Sequence, residues 1–121
     1  MSRSQKTGEP QRGEIWQLRF DPSQGAEIGK TRPAVVVSVP SVGKLPLRIV
    51  VPVTEWKAKY ATVPWLVYLR VAKRNGLNKD SAADAFQVKS VSVTRFVAKL
   101  GDLSADQIEE ICAAVALCVG A

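Results

Sequence analysis

The sequence predicts a small, mainly β protein in which five or six short strands form a strongly bent barrel closed by one C-terminal helix. Three observations lead to this prediction. Short segments alternate apolar and polar side chains, stretches with proline and glycine separate these segments, and the C-terminal segment places its apolar residues at helical spacing. With 121 residues, 46% of them apolar and 23% charged, the chain has the size and composition of one globular domain.

The N-terminal part predicts a tail followed by a first strand. Residues 1–10 are polar and lack periodicity, so we expect a disordered tail, with a single domain over residues 11–121. The first strand is expected over Glu14 to Phe20, because its apolar side chains alternate. They are Trp16, Leu18 and Phe20.

A long polar loop connects the first strand to the second. Residues 21–31 contain a proline and two glycines and exceed the length that a hairpin needs, which is typical of functional loops on small barrels. The second strand is expected over Arg32 to Val39. Its run from Ala34 to Val37 is apolar on both faces, so we expect the core to cover one face and a helix or a partner subunit the other.

The remaining elements follow the same alternation, with turn residues between them. We expect strands at Leu47 to Thr54, Trp65 to Val71, Ala85 to Val93 and, as a short sixth, Phe96 to Leu100. Asn75-Gly76 predicts a turn with a positive φ angle at the glycine. The helix is expected to begin after Ser104, which forms a capping box with Gln107, and to end at Gly120.

Charge and residue types limit the possible chemistry. The 17 basic residues exceed the 11 acidic ones, and the net charge of +6 is compatible with a nucleic-acid partner. The chain has no histidine, which excludes Ser-His and Cys-His nucleophiles and nearly every zinc site. Cys112 and Cys118 lie about 9 Å apart along the expected helix, beyond the roughly 7 Å limit for a disulfide. We therefore expect buried free thiols, no metal and no cofactor.

The sequence also indicates a location. It contains no apolar run long enough to span a bilayer, and its polar first residues lack the apolar segment of a signal peptide. We therefore expect a cytoplasmic protein without a membrane partner.

Two motifs in the first third of the chain and one at the end of the third strand resemble a known family. The first is R-G-E-I-W from Arg12, the second G-A-E-I-G-K-T-R-P from Gly25, and the third V-P-V-T, which ends at Thr54. They resemble the MazF/PemK (Kid-like) family of toxin endoribonucleases. The resemblance implies an SH3-like barrel of the MazF/CcdB type with a C-terminal helix. It also implies metal-independent cleavage of single-stranded RNA by 2′-hydroxyl attack, which leaves a 2′,3′-cyclic phosphate and a 5′-hydroxyl.

The resemblance makes Arg32 and Thr54 the candidate catalytic residues. A planar guanidinium offers two parallel donors to phosphoryl oxygens, and this interaction strengthens as charge develops on the phosphorane. The hydroxyl of Thr54 can donate to a further oxygen. We interpret Arg32 as an electrostatic stabiliser and proton donor. Because arginine stays protonated in proteins, it is a poor general base, and the general base is left unassigned. Without the motifs, the pair would read as a surface charge and a turn residue.

The resemblance also implies RNA-binding roles for five further residues. Glu27 and Lys30 lie in the loop that, by resemblance, closes over the substrate and is occluded by the antitoxin. Arg12 is expected to contact the RNA backbone, and Gln87 and Lys89 match the family's pattern on the fifth strand. The alternative for Glu27 and Arg12 is ordinary solvated surface charge.

The fifth strand departs from that pattern at one position. Family members commonly carry an acidic residue directly before the glutamine, where this chain has Phe86. Asp84, two residues earlier on the same face of the expected strand, is a candidate substitute. We expect Phe86 to fill the core, and stacking on an RNA base is the alternative.

The expected function is that of an mRNA interferase toxin, a homodimer neutralised by an acidic cognate antitoxin. Two rivals stay open. One is a CcdB-like toxin that binds a protein such as gyrase without catalysis, although that branch ends in Trp-Gly-Ile and this chain in Val119-Gly120-Ala121. The other is an inactive RNA-binding homologue, which the Phe86 departure favours.

Overall fold

Seven antiparallel strands and one helix build the part of the chain that the computed structural model describes, which is residues 9–20, 31–40 and 45–121. The strands are β1 (Glu14–Arg19), β2 (Thr31–Val36), β3 (Leu47–Glu55), β4 (Leu66–Leu69), β5 (Ser81–Asp84), β6 (Lys89–Ser92) and β7 (Phe96–Asp102). The helix is α1 (Ala105–Val119), and short 3₁₀ turns occupy Ala58–Thr62, Ala85–Gln87 and Val93–Arg95.

The strands form one sheet in the order β4-β5-β3-β2-β1-β7, and β6 pairs with the first half of β3. Within the described ranges, no ladder joins the two end strands β4 and β7, so the sheet is open along that edge. The predicted fold class, mainly β with a C-terminal helix, is confirmed.

Strand β3 changes partners along its length, and this change shapes the molecule. Its first part pairs with β2, with Ala34 opposite Pro52 as the last pair, whereas Val53 to Glu55 pair with β5. Pro33, the next residue of β2, would lie opposite Val53 and has no amide hydrogen to donate to β3. Strands β2 and β3 therefore part beyond the pair of Ala34 with Pro52, and the surface opens between them.

The sheet buries apolar side chains on both of its faces. In β2, Ala34, Val35 and Val36 are all 0% exposed. Val35 belongs to the main core, which Ile108 and Ile111 of α1 cover. Ala34 and Val36 belong to a second cluster, which we call the outer cluster and which also contains Trp16, Leu18, Val50 and Val91.

The prediction that β2 is covered on both faces is therefore confirmed, but its second cover is neither a helix nor a partner subunit. The outer cluster is closed by aromatic side chains of this chain. Trp16 packs edge to face on Phe96, with ring centroids 5.7 Å apart, and Phe20 lies against the same cluster.

The predicted continuous strand from Ala85 to Val93 is wrong. Strand β5 ends at Asp84, the 3₁₀ turn Ala85–Gln87 follows, and β6 begins at Lys89. The cause is local, because the carboxylate of Asp84 accepts a hydrogen bond from the amide of Phe86 at 3.2 Å. Aspartate side chains commonly satisfy a backbone amide two residues ahead and so begin a turn.

The predicted helix and turn are confirmed. Ser104 caps α1 with the expected capping box, and Gly120 ends it in the left-handed region at φ 74°. Gly76 has φ 70°, as the Asn-Gly pair predicted. Cys112 and Cys118 are free thiols that lie half-buried against the main core.

At the N-terminus, residues 1–8 of the predicted tail lie outside the described residues. Pro10 is buried, and its carbonyl accepts a hydrogen bond from Arg48 Nε at 2.9 Å. No helix in the described part of the chain has the length and apolar character that crossing a bilayer requires.

Candidate active site

A surface pocket of about 230 Å³ lies where β2 and β3 part, and β5 and β6 complete its walls. It brings together four of the residues that the sequence predicted for the site: Arg32, Thr54, Gln87 and Lys89. The other lining residues are Phe20, Pro52, Val53 and Asp84.

The strand register explains why Arg32 and Thr54 meet. Continued two residues beyond the last β2–β3 pair, Ala34 with Pro52, the register places Arg32 opposite Thr54. The neighbouring strands fix both positions, since Arg32 pairs with Leu18 of β1 and Thr54 pairs with Ala82 of β5. Arg32 is exposed and Thr54 half-buried, so both can reach a molecule in the pocket.

The outer cluster forms the support beneath this pair. Side chains alternate between faces along a strand, so Arg32 shares a face with Ala34 and Val36, and Thr54 shares one with Val50. Those three apolar residues all belong to the outer cluster. The functional side chains therefore stand on rigid strands at the edge of a packed apolar layer.

Lys89 adds a second cation to the pocket. Its Nζ atom lies 4.8 Å from the centroid of the Phe20 ring, within the range of a cation–π interaction. Lys89 is paired with Val50 at the start of β6, and Phe20 packs on the outer cluster. Arg32 and Lys89 together make the pocket suitable for an anion.

Asp84 and Gln87 form one polar wall. Gln87 Nε2 donates to Asp84 Oδ2 at 2.8 Å, and the Phe86 amide donates to Asp84 Oδ1. The structure thus brings Asp84 into the pocket, although as the residue that begins a turn and not through a shared strand face. The Asp-x-Phe-Gln sequence was the signal for this turn.

Phe86 does not fill the core, contrary to expectation. Phe86 is 67% exposed. It projects from the turn between Asp84 and Gln87, and its ring lies 5.7 Å from that of Trp65. Because Asp84 has ended the strand, the alternation that would have turned Phe86 inward no longer applies.

Phe20 lines the pocket although the sequence predicts it only as an alternating apolar residue of the first strand. It is half-buried, with its ring beneath Lys89. Its position directly before the long loop was the available signal, because residues at strand ends next to loops often line sites.

Arg12, another predicted RNA-binding residue, does not line this pocket. The guanidinium of Arg12 donates to the carbonyl of Val37 and approaches Cys112 Sγ at 3.6 Å, which ties the start of β1 to β2 and α1. Arg12 lines a separate cavity of about 400 Å³. Glu27 and Lys30 lie outside the described residues, so their roles, like that of Arg12, stay predictions.

Comparison with known proteins extends this description. The model of the PemK-like, MazF-like toxin family matches residues 11–119. Endoribonuclease MazF9 of Mycobacterium tuberculosis is 38% identical over 106 residues, which are 83% of this chain and 87% of that protein.

Solved structures agree with this sequence similarity. MazF of Deinococcus radiodurans superposes with a TM-score of 0.73 at 26% identity, covering 93% of this chain and 97% of that one. A MazE–MazF complex from the same organism gives 0.73 at 26% identity, with 92% and 96% covered. Since the family model spans nearly the whole chain and a relative well above 30% identity covers most of it, this chain belongs to the PemK-like, MazF-like toxin family of type II toxin–antitoxin systems.

Proposed function

We propose that this toxin cleaves single-stranded RNA in the pocket between β2 and β3, with Arg32 and Thr54 as its catalytic residues. The observation that carries the proposal is their placement on opposing strand positions in one pocket, together with the cation of Lys89. The endoribonuclease activity named for the relative MazF9 fits this arrangement.

The proposed reaction is attack of a ribose 2′-hydroxyl on the adjacent phosphate. The 2′ oxygen loses its proton and bonds to phosphorus, the bond from phosphorus to the 5′ oxygen breaks, and that oxygen gains a proton. The products are a 2′,3′-cyclic phosphate and a 5′-hydroxyl. The crowded phosphorane on this path carries more charge than the diester, so fixed donors stabilise it more than the ground state.

The pocket side chains supply those donors. The guanidinium of Arg32 provides two parallel N–H groups to two phosphoryl oxygens, and the ammonium of Lys89 adds a point charge. The hydroxyl of Thr54 donates to a third oxygen, on a strand position fixed by pairing with Ala82. Asp84 holds the amide of Gln87 in the wall, where that amide contacts the nucleotide.

The test is to map cleavage of a long RNA in EDTA and to identify the ends. We expect cuts at a short sequence motif that leave cyclic phosphate and 5′-hydroxyl termini. Arg32→Ala protein purified in parallel is the control for contaminating nucleases. A requirement for magnesium, or 5′-phosphate products, would contradict the mechanism.

The same experiment separates the two rivals. Tight RNA binding without any cleavage would indicate an inactive RNA-binding homologue. Inhibition of gyrase by a protein that neither binds nor cuts RNA would indicate a CcdB-like toxin.

We also propose that the protein is a homodimer. Four large apolar side chains, Val39, Leu45, Leu47 and Ile49, are between 43% and 54% exposed. Three of them, Val39, Leu45 and Leu47, line the cavity next to Arg12. An exposed apolar surface of this kind is typical of an interface, and a second copy is the partner that a small homo-oligomer supplies. The apolar faces of β2, in contrast, are already covered within one chain.

The proposed regulator is an acidic antitoxin segment that occupies the pocket. The MazE–MazF complex among the similar structures supports an antitoxin partner. The net charge of +6, with Arg32 and Lys89 in one pocket, favours an anionic chain on the path of the phosphates. The expected site of action is the cytoplasm, where mRNA is available.

We expect the neighbouring gene to encode the antitoxin, and a peptide from the acidic tail of that protein tests this regulator. We expect it to compete with RNA and to stop cleavage. A peptide that binds while cleavage continues unchanged would show that inhibition works elsewhere.

A further inference from the structure

We infer that Trp65 and Phe86 form a stacking shelf for the base of a nucleotide next to the cleaved phosphate. The inference rests on the proposed function, because it assigns a substrate contact at the rim of the same pocket.

The two rings form an exposed pair. Their centroids are 5.7 Å apart with an angle of 47° between the ring planes, and Trp65 and Phe86 are 38% and 67% exposed. Because Phe86 is two-thirds exposed, part of its ring surface stays open to a ligand. Base–aromatic stacking is the recurring way in which proteins hold single-stranded RNA.

Hydrogen bonds fix the shelf before any ligand arrives. The Ala85 amide donates to the Trp65 carbonyl at 3.0 Å, which ties the two aromatic segments together. The Phe86 amide donates to Asp84 Oδ1 at 3.2 Å, and the Val88 amide closes the turn on the Ala85 carbonyl. A contact surface held in this way loses little freedom on binding.

The location of the shelf points to RNA. Phe86 directly precedes Gln87 and lies two residues after Asp84, and both of these neighbours line the pocket. Adjacent Cα atoms are about 3.8 Å apart, so the ring leaves the chain at the pocket rim. In the proposed complex, the phosphate lies with Arg32 and Lys89 in the pocket, and a flanking base lies on the shelf at the rim. An apolar pair set among an aspartate, a glutamine and two cations matches a platform for single-stranded nucleic acid.

Stacking makes a specific demand on the substrate. Every base has an aromatic face, so a stacking contact needs a base but discriminates weakly among the four. We expect that removing the base of one nucleotide beside the cleaved bond slows cleavage, whereas exchanging that base for another has little effect.

The test uses short RNAs that contain the mapped cleavage motif, with one abasic nucleotide at each flanking position in turn. For the wild-type protein, one abasic position should lower kcat/KM by about 5- to 100-fold, the range expected for losing one stacked base. Phe86→Ala should lower kcat/KM on intact RNA by a similar factor and should no longer respond to that abasic position. Phe86→Tyr, which keeps an aromatic ring, should still respond to that abasic position. Val97→Ala, at another exposed apolar residue, is the matched control.

The outcomes separate this inference from the proposed function. If Phe86→Ala cleaves intact RNA at the wild-type rate and keeps the abasic sensitivity, the shelf is wrong and the nuclease stands. If the wild-type protein cuts no RNA, fluorescence anisotropy measures its affinity for a non-cleavable 2′-deoxy oligonucleotide instead. Equal affinities of the wild-type and Phe86→Ala proteins would then overturn the shelf. A Phe86→Ala protein that loses only antitoxin binding or self-association would show a protein contact instead.

Discussion

Arg32 of β2 and Thr54 of β3 occupy opposing positions two residues beyond the last pair that joins their strands, Ala34 with Pro52. Strand β3 has by then turned to β5, so no ladder fills the space between them. A charged donor and a hydroxyl are thereby held side by side on rigid backbone, facing a pocket open to solvent. Preorganisation of this kind makes electrostatic stabilisation of a phosphorane effective.

Replacing Arg32 by alanine should lower kcat/KM for RNA cleavage by about 100-fold or more, because a charged transition-state donor is lost. Thermal unfolding should be unchanged, since Arg32 is exposed and contributes nothing to either apolar cluster. Arg70→Ala is the control, as Arg70 is also exposed and does not line the pocket. Wild-type turnover in folded Arg32→Ala protein would place the catalytic site elsewhere.

Replacing Thr54 by valine should lower the cleavage rate by roughly 10-fold, the effect of one lost hydrogen bond to a charged group. Valine keeps the shape and removes the hydroxyl, so the loss reports that hydroxyl alone. Thr54→Ser should retain most of the activity. A valine variant that cleaves at the wild-type rate would show that the Thr54 hydroxyl plays no part in cleavage.

An aspartate at Leu47 should dissociate the proposed dimer, because it buries a charge in the interface. Sedimentation velocity at micromolar concentration measures the result. Val97→Asp, at an exposed apolar position of β7, is the control that should leave the dimer intact. A wild-type protein that sediments as a monomer would contradict the dimer itself.

Alanine at Gly76 should destabilise the fold more than alanine at Gly120. Both glycines have positive φ angles, 70° and 74°, where a Cβ atom costs about 1–2 kcal/mol. At Gly76 that atom would also lie 2.1 Å from the carbonyl oxygen of Leu100, whereas at Gly120 it would meet nothing within 4 Å. Urea titration of the two variants measures the difference, and equal losses would contradict the contact at Gly76.

Stability should fall in acid partly through Asp80. Hydrogen bonds from the Val71 amide at 2.8 Å and the Tyr68 hydroxyl at 2.9 Å lower the pKa of Asp80. The hydrogen bond between Tyr68 and Asp80 also raises the pKa of Tyr68. A lowered carboxyl pKa stabilises the fold above the ordinary aspartate value, and this contribution is lost as the pH falls through the lowered value.

Asp80→Asn should therefore reduce stability at neutral pH and weaken its dependence on pH below about 4. Urea midpoints measured between pH 7 and pH 3 check this, with Tyr68→Phe as the variant that removes one of the two hydrogen bonds. An unchanged acid slope in Asp80→Asn would assign the effect to other carboxylates.

Local patterns were sufficient for most of the fold. The alternation around Trp16, the capping box at Ser104 and the Asn-Gly pair at Gly76 each depend on neighbours a few residues away, and each is found as predicted. The motifs around Arg32 and Thr54 gave the family, which the comparisons confirm.

Tertiary structure decided the features that depend on distant residues. Periodicity showed that β2 is apolar on both faces, but only the folded sheet brings Phe96 over the second face. The turn at Asp84 is local and directs Phe86 outward, but only the folded chain brings Trp65, about twenty residues earlier, against its ring. The pocket itself arises because β3 leaves β2 for β5 after Pro52, and β5 lies far from β2 in sequence, so only the folded sheet shows which strand β3 joins next.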